Sequence, residues 1–534
     1  MRHATAAVWG NRDLRELVLG ALGWGLAEMA TWVAVLVVAY DAGGPAATGI
    51  AIAVQLVPAG IAAPIGGVLG DRWRRSSVLT ASYAVGAALA VGAAFAVAES
   101  ESLVLLLALA AGLSVVFAIL RPTQMSLVPQ LAATPTEASA ANAALGLASA
   151  VAYAVGPLLA AVLLGVGPSL VFGVSAIVMG LGAVAVRSLG RHANPTLLAE
   201  SAALQSLRDL LATRGARPIL ALTAVFNLTV GALDVLIVAL AVDALGIGDQ
   251  GVGVLAGAIG VGAMAGSSIV LGLSGRRRLT PVLVGAGLAW GVSITLLGVV
   301  PGVVVGVVVL VVNGTAGMGI EVTGQTLLQR VAPPHVMSGA FGFSEGLRLG
   351  TMAVGSLLAG AAVSWMGLAG AAAVFGLLVP IAVLAFRPTG SHVDDGLGAA
   401  WEAVLMIGES PLFSALSVRE REALAGSAHE REVPSGETII VEGDAGDAAY
   451  LVIDGTLSVV KSGVEVARVG PGDHVGEIAL LQDRPRTASV TAVTHARLLV
   501  IDRFSFVCVV AGSRMATRGI DADVERRLGE LGDR

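Results

Sequence analysis

Long apolar runs fill the first 390 or so residues of the chain and then stop. A membrane-crossing helix needs roughly 20 apolar residues, and stretches of that kind fall at 14–40, 46–70, 77–98, 102–122, 140–165, 168–187, 218–242, 250–274, 280–300, 303–325, 337–365 and 367–386. Twelve transmembrane helices are therefore expected. The first run is too long for the apolar region of a signal peptide and has no small-residue cleavage site, so it is expected to stay in the mature chain. A helical repeat over 401–429 places Leu405, Leu412, Phe413, Leu416 and Leu424 on one face. Between 431 and 502 the period drops to two, in segments 438–441, 449–453, 457–460, 464–469, 488–493 and 497–501. Ser-Gly, Glu-Gly-Asp, Asp-Gly and Pro-Gly-Asp turns separate them, which predicts an antiparallel barrel or jelly roll. Residues 504–531 return to helical spacing through Ile520, Val524, Leu528 and Leu531.

Composition agrees with this division. A mean hydropathy of +0.85, with 56% hydrophobic and 13% charged residues in 534, excludes a single water-soluble globule and a disordered chain. The 70 glycines lack a collagen period and read as small-residue contacts between membrane helices. One cysteine, Cys508, excludes a disulfide framework and a cysteine-based metal site and reads as a small core residue. The net charge of −6 separates into +1 for residues 1–400 and −7 for 401–534. The expected organisation is a helical bundle at 1–187, a polar cytoplasmic loop at 188–217, a second bundle at 218–387, a linker at 388–400 and a soluble α+β domain at 401–534.

Arginines set the orientation, because basic residues collect on the cytoplasmic side. Arg2, Arg12 and Arg15 precede the first run, Arg72, Arg74 and Arg75 follow the second, Arg121 ends the fourth, and Arg187, Arg191, Arg208, Arg214 and Arg217 separate the sixth and seventh. Arg276, Arg277 and Arg278, Arg330 and Arg387 follow on the same side, while the opposite loops carry Asp41, Glu99, Glu101, Asp243 and Asp249 and no basic residue. Both ends should face the cytoplasm in a multi-pass protein of the plasma (inner) membrane. The acidic tail is expected to dock under the arginine-rich loops, where a rotation of 504–531 would reach the cytoplasmic gate.

The two bundles repeat weakly. Arg74-Arg75 before Ser77-Val-Leu79 returns as Arg277-Arg278 before Pro281-Val-Leu283, Gln124-Met-Ser-Leu-Val128 as Gln325-Thr-Leu-Leu-Gln329, and Gly156-Pro-Leu-Leu-Ala160 as Gly355-Ser-Leu-Leu-Ala359, each about 200 residues apart. Gly67-Val-Leu-Gly-Asp71-Arg72-Trp-Arg74-Arg75 resembles the loop signature of the major facilitator superfamily, without the glycine usual between the arginines. Ala152-Tyr-Ala-Val-Gly156-Pro157-Leu-Leu-Ala160-Ala161 resembles the fifth-helix antiporter motif of that family's drug-efflux-like branch, with alanine for its last glycines. The resemblance implies an α-helical membrane protein with a 6+6 pseudo-symmetric major facilitator fold, a gating loop containing Asp71, Arg72 and Arg75, and two bundles that alternate access to a central cavity.

Ionisable residues at membrane depth are expensive and are functional candidates by default. They are Glu28, Asp234, Glu321, and Glu345 with Arg348. Glu345 and Arg348 share a helix face, as a structural ion pair or a substrate site. Glu321 reads as a gate or cap. Glu28, with Trp24 and Trp32 one turn to either side, suits a protonatable group beside an aromatic wall for amphiphilic or cationic cargo. Glu28 and Asp234 are taken as the coupling or substrate carboxylates. The glycine-rich run 257–266 lies in an apolar helix and reads as packing, not as a dinucleotide loop. Asn227-Leu-Thr229 and Asn313-Gly-Thr315 fit a glycosylation pattern inside membrane spans, and seven scattered histidines offer no metal set.

The tail carries Val475-Gly476-Glu477-Ile478-Ala479-Leu480-Leu481, and after three residues Pro485-Arg486-Thr487-Ala488. Gly476 opens a short helical turn whose N–H groups can meet an anion. Arg486 supplies a permanently charged fork for a phosphate, Glu477 an acceptor for a ribose hydroxyl, and Ala479 and Ala488 room for a close approach. The ligand this asks for is an anion with an attached sugar. The segment resembles the phosphate-binding cassette of cyclic-nucleotide-binding domains over about 405–530. That resemblance implies Glu477 on the ribose 2′-hydroxyl, Arg486 on the cyclic phosphate, and amides around Ile478 and Ala488 completing the nest. Thr487 resembles the position tied to cGMP preference in kinases, whereas channels with the same threonine accept cAMP, and cAMP is expected over cGMP.

A DNA-binding regulator would need a helix-turn-helix beyond the jelly roll. The 15 residues after Gly519 and the acidic charge make a nucleic-acid partner unexpected. No metal and no enzymatic activity are expected. The partners are the bilayer, a small-molecule substrate and a cyclic nucleotide, with oligomeric state open. The resulting expectation is a secondary transporter, an exporter of a small amphiphilic molecule, adjusted by cyclic nucleotide. A non-transporting membrane receptor that reads the nucleotide is the alternative.

Overall fold

In the computed structural model, residues 9–72, 75–100, 102–131, 135–187, 216–273, 279–300, 302–331, 337–413, 416, 418–481, 484–503 and 505–506 are described. The chain divides into two compact units, Met1–Ser391 and His392–Arg534.

The first unit is built from helices α1 (Arg12–Arg72), α2 (Arg75–Phe95), α3 (Leu103–Leu131), α4 (Pro135–Leu164), α5 (Pro168–Val186), α6 (Ala216–Ala239), α7 (Gly248–Leu273), α8 (Thr280–Leu297), α9 (Val303–Val331) and the larger part of α10 (Met337–Glu409), whose residues from His392 on belong to the second unit. All ten contain a span long and apolar enough to cross a membrane. The spans in α1 and α10 are 51 and 44 residues, about twice the roughly 20 that one crossing takes. Each of these helices is interrupted, α1 at Gly43 and Gly44 and α10 at Gly367, where φ turns positive at Gly44 and Gly367. The expected linker 388–400 falls within the helical backbone of α10. Outward-facing side chains such as Phe95, Val162, Val184 and Val304 are apolar, as a surface bathed in hydrocarbon requires.

The glycine run of α7 works as a packing stripe. A Cβ on Gly262 would land on the backbone of Val311 in α9, and one on Gly260 on the backbone of Tyr153 in α4. Both neighbours approach so closely that only hydrogen fits. Asn227 and Asn313 are buried, and Asn313 donates to Ser293 at 2.7 Å, so neither asparagine presents a glycosylation site on the surface.

At the end of the unit that carries the Gly44, Gly248 and Gly367 turns, the two halves of the repeat touch. Ser356 Oγ donates to the Gly49 carbonyl at 3.1 Å, and the Tyr40 hydroxyl donates to Asp243. A Cβ on Gly253 would meet the Pro157 carbonyl and one on Gly360 the Pro45 carbonyl.

Helix α3 runs beyond the apolar stretch that predicts it. The fourth stretch was expected to end at Arg121, but α3 continues to Leu131, carrying Pro122 in its interior. Hydropathy stops at Arg121-Pro-Thr-Gln124 because polar side chains begin there. The helix goes on because they have partners: Trp24 Nε1 donates to Gln124 Oε1 at 2.8 Å, and Gln124 Nε2 donates to the Tyr83 hydroxyl at 3.1 Å. Arg121 is thus an interior helix residue rather than a terminal one.

In the second unit, a short 3₁₀ turn (Pro411–Phe413) and helix α11 (Val418–Ser427) precede β1 (His429–Val433), β2 (Thr438–Ile440), β3 (Ala448–Asp454), β4 (Leu457–Lys461), β5 (Val464–Val469), β6 (His474–Val475), helix α12 (Glu477–Leu481), β7 (Ser489–Ala492) and β8 (Ala496–Asp502). They form two four-stranded antiparallel sheets, ordered β1-β8-β3-β6 and β2-β7-β4-β5. Alternation along β3 and β8 explains why both read as continuous apolar runs. Tyr450, Val452, Leu498 and Val500 point into the core between the sheets, while Ala449, Leu451, Leu499 and Ile501 pack against Ile407, Phe413, Leu416 and Leu424 of the helical layer. Leu405, expected on that helical face, is exposed, and Ala403, Val404 and Ile407 take the inward positions. The 401–429 repeat is broken at Ser410–Phe413, so one helical phase cannot serve both halves. The sequence pattern misses β1, whose residues are exposed except Val433, and the two-residue β6.

Candidate functional sites

Four of the candidates at membrane depth meet in one cavity of about 390 Å³, within the usual size range for small-molecule sites. Glu28, Trp32, Glu345 and Arg348 line it together with Trp24, Phe117 and Arg121. Arg348 donates from Nε to Glu345 Oε2 at 2.9 Å and from Nη2 to Oε1 at 2.6 Å, a bidentate pair one helical turn apart. Asp234 is not among the lining residues, but Trp32, which is, lies close enough to act on its carboxylate. Glu321 accepts from Gln325 at 3.0 Å and lines a smaller adjoining cavity of about 80 Å³ that shares Glu345 and Arg348. Asp71 and Arg72 end α1 and Arg75 begins α2, but the side chains of all three lie outside the described residues, as do Arg276, Arg277, Arg278 and 507–534. Sequence reasoning counts Arg121 only as an orientation marker and misses its place in the cavity wall. Its position three residues before Gln124, in a helix that outlasts its apolar run, is the signal that could have revealed it.

The tail site is assembled around one buried guanidinium. Arg486 is 5% exposed; it donates from Nη1 to the Gly476 carbonyl at 2.8 Å, and from Nη2 to the Ala448 carbonyl at 2.7 Å and to Asp447 Oδ1 at 2.9 Å. Its backbone is held by the 443–447 loop as well, with Arg486 N on the Asp444 carbonyl at 2.8 Å and Gly443 N on the Arg486 carbonyl at 2.9 Å. Gly476, between β6 and α12, has φ +86°, and a Cβ there would come within 2.5 Å of Arg486 Nη1. Only glycine permits both the turn and the guanidinium beside it. Glu477 opens α12 and is 2% exposed. Val475, Ile478, Ala479 and Ala488 are buried around it, and Thr487 is half-buried. Nearby Tyr450 titrates above its ordinary value, first because it is buried and then because Asp447 is close.

His474, discounted as a metal ligand, is buried behind this site. Its Nδ1 lies 3.2 Å from Ser410 Oγ, and its Nε2 3.9 Å from Glu477 Oε1. Among the described residues no group of three or more His, Cys, Asp or Glu is arranged to hold a metal ion.

A family model described as Major Facilitator Superfamily matches residues 17–348, more than half of the chain. The chain belongs to the major facilitator superfamily. A second family model, Cyclic nucleotide-binding domain, matches residues 430–511, so this major facilitator chain carries a C-terminal cyclic-nucleotide-binding domain. Over 100 residues the chain is 43% identical to the cAMP-dependent protein kinase regulatory subunit of Aspergillus niger, covering 18% of this chain and 24% of that protein. The same subunit of Yarrowia lipolytica is 42% identical over 100 residues, covering 18% and 27%. The chain thus spans about a quarter of the length of these curated relatives. Among solved structures, the catabolite activator protein of Thermus thermophilus is similar at 31% identity, with 23% of this chain and 60% of that chain covered and a TM-score of 0.22.

Proposed function

We propose that this chain is a secondary active transporter of the plasma membrane that exports a small amphiphilic molecule by alternating access and is adjusted by a cyclic nucleotide bound to its cytoplasmic tail. The observation that carries the reading is the cavity that gathers Glu28, Arg121, Glu345 and Arg348 from three helices far apart in the sequence, below an end of the bundle that is closed. Reading α1 and α10 as two crossings each gives twelve crossings, with both termini cytoplasmic. The closed end carries Asp41 and Asp243, so it is the external end and the state is inward-facing. Glu28 and Asp234 are the coupling carboxylates.

In the tail, Arg486 takes the cyclic phosphate, Glu477 the ribose and the amides around Ile478 and Ala488 the remaining oxygens. The relatives' description as cAMP-dependent regulatory subunits favours cAMP. Flux in proteoliposomes, with and without cAMP, tests the reading. Transport should respond to cAMP and be impaired by Glu28→Gln and Asp234→Asn. Nucleotide binding without any flux would instead mark a receptor.

A further inference from the structure

The cavity contains two kinds of charge that differ in what they can do alone. Glu28 can discard its charge by taking a proton, whereas a guanidinium stays charged. Arg348 is already matched by Glu345. Arg121 lines the same cavity, and its side chain makes no hydrogen bond or ion pair among the described residues. Its electrostatic neighbours are Tyr153, Glu28, Arg348 and Glu345, and Tyr153 neighbours Arg348 as well. One end of the cavity therefore presents the N–H donors of Arg121 in search of an acceptor.

The remaining walls are apolar. The Trp24 indole N–H is spent on Gln124 and Trp32 lies beside Asp234, so the two indoles offer the cavity mainly carbon surface, joined by Leu113, Phe117 and Leu349. A cationic cargo would bring a third positive charge between two guanidiniums. An anion instead pairs with the guanidinium that has no hydrogen-bonded partner among the described residues, and does so once Glu28 has discarded its charge, in surroundings where unmatched charge is costly.

We infer that the cargo is an amphipathic organic anion, an aromatic or aliphatic body on the Trp24–Trp32–Phe117 wall with its anionic group on Arg121. This rests on the transport reading only in taking the cavity as the cargo site. Arg121 is the specificity-determining residue, and ionised Glu28 opposes the anion, so a neutral Glu28 favours loading.

The test is calorimetric titration of the purified full-length chain in lipid nanodiscs with 4-phenylbutyrate, its primary amide and 4-phenylbutylamine. The carboxylate should bind about ten-fold or more tightly than either analogue, the scale of a charge-assisted hydrogen bond. Arg121→Gln should bring it down to the level of the amide, Arg121→Lys should restore part of the preference, and Glu28→Gln should leave carboxylate binding equal or tighter. A wild-type-like thermal midpoint confirms that each variant is folded. Amine binding that matches or exceeds the carboxylate's, a preference that survives Arg121→Gln, or no binding by any of the three overturns the inference. Carboxylate binding without flux would sink the transport reading and leave this one standing, and flux of cations without carboxylate binding would do the reverse.

Discussion

Replacing Arg486 by alanine separates two jobs done by one side chain. Without ligand, the guanidinium satisfies the buried carbonyls of Gly476 and Ala448 and contacts Asp447, whose side chain is 83% exposed. Leaving the carbonyls without a donor costs about 1–3 kcal/mol, while the Asp447 contact, screened by solvent, adds about 0–1 kcal/mol. The tail should therefore be destabilised by about 1–4 kcal/mol but remain folded.

Binding suffers more. The exposed Asp447 contact is the one readily exchanged for a phosphate, and two charge-assisted bonds to phosphate oxygens are worth about 3–5 kcal/mol together. At 1.4 kcal/mol per factor of ten, affinity for cAMP should fall between about a hundred-fold and a few thousand-fold. Calorimetric titration of the full-length protein gives the affinity, and thermal unfolding without nucleotide gives the stability. Arg486→Lys keeps the charge but not the fork and should be intermediate. Wild-type affinity in a folded Arg486→Ala protein would refute the assignment of the phosphate to this residue.

Three further outcomes follow from the geometry. Gly476→Ala forces a Cβ against Arg486 at a positive φ and should cost about 1–3 kcal/mol of tail stability along with much of the nucleotide affinity, read by the same two assays. Gln124→Leu strips the buried Trp24 indole and Tyr83 hydroxyl of their shared partner and should lower the unfolding midpoint of the membrane unit by about 2–4 kcal/mol equivalent, with no change in nucleotide affinity. Tyr40→Phe removes the hydrogen bond to Asp243 at the closed end, and labelling of a cysteine placed at Val35 from the external side should rise.

The tail was more legible than the cavity for a physical reason. The residues that make the nucleotide site, 475–481 and 486–488, are nearly contiguous, because a strand, a tight turn and one helical turn suffice to surround a phosphate. Local sequence therefore carries the chemistry. The cavity draws Glu28, Arg121 and Arg348 from helices that meet only after folding, and no spacing announces them. Arg121 was further hidden because hydropathy marks where apolar side chains end, whereas a helix can continue if its polar residues are satisfied, as Gln124 is. In the tail, alternation located six strands but neither β1, where His429, Glu430, Arg431 and Glu432 offer no apolar residue to reveal the period, nor β6, which at two residues is too short to show one. His474 shows a different limit, since Ser410, 64 residues earlier in the chain, becomes its neighbour only in three dimensions.

The most direct test of a transporter governed by its tail is net flux through the reconstituted full-length protein, measured with and without saturating cAMP, for wild type and Arg486→Ala, across a panel that includes 4-phenylbutyrate and aromatic cations. At least one compound should cross at a rate that cAMP changes in the wild type and leaves unchanged in the variant. If none crosses, or if cAMP acts equally on both proteins, the nucleotide site and the membrane cavity do not belong to one regulated transporter.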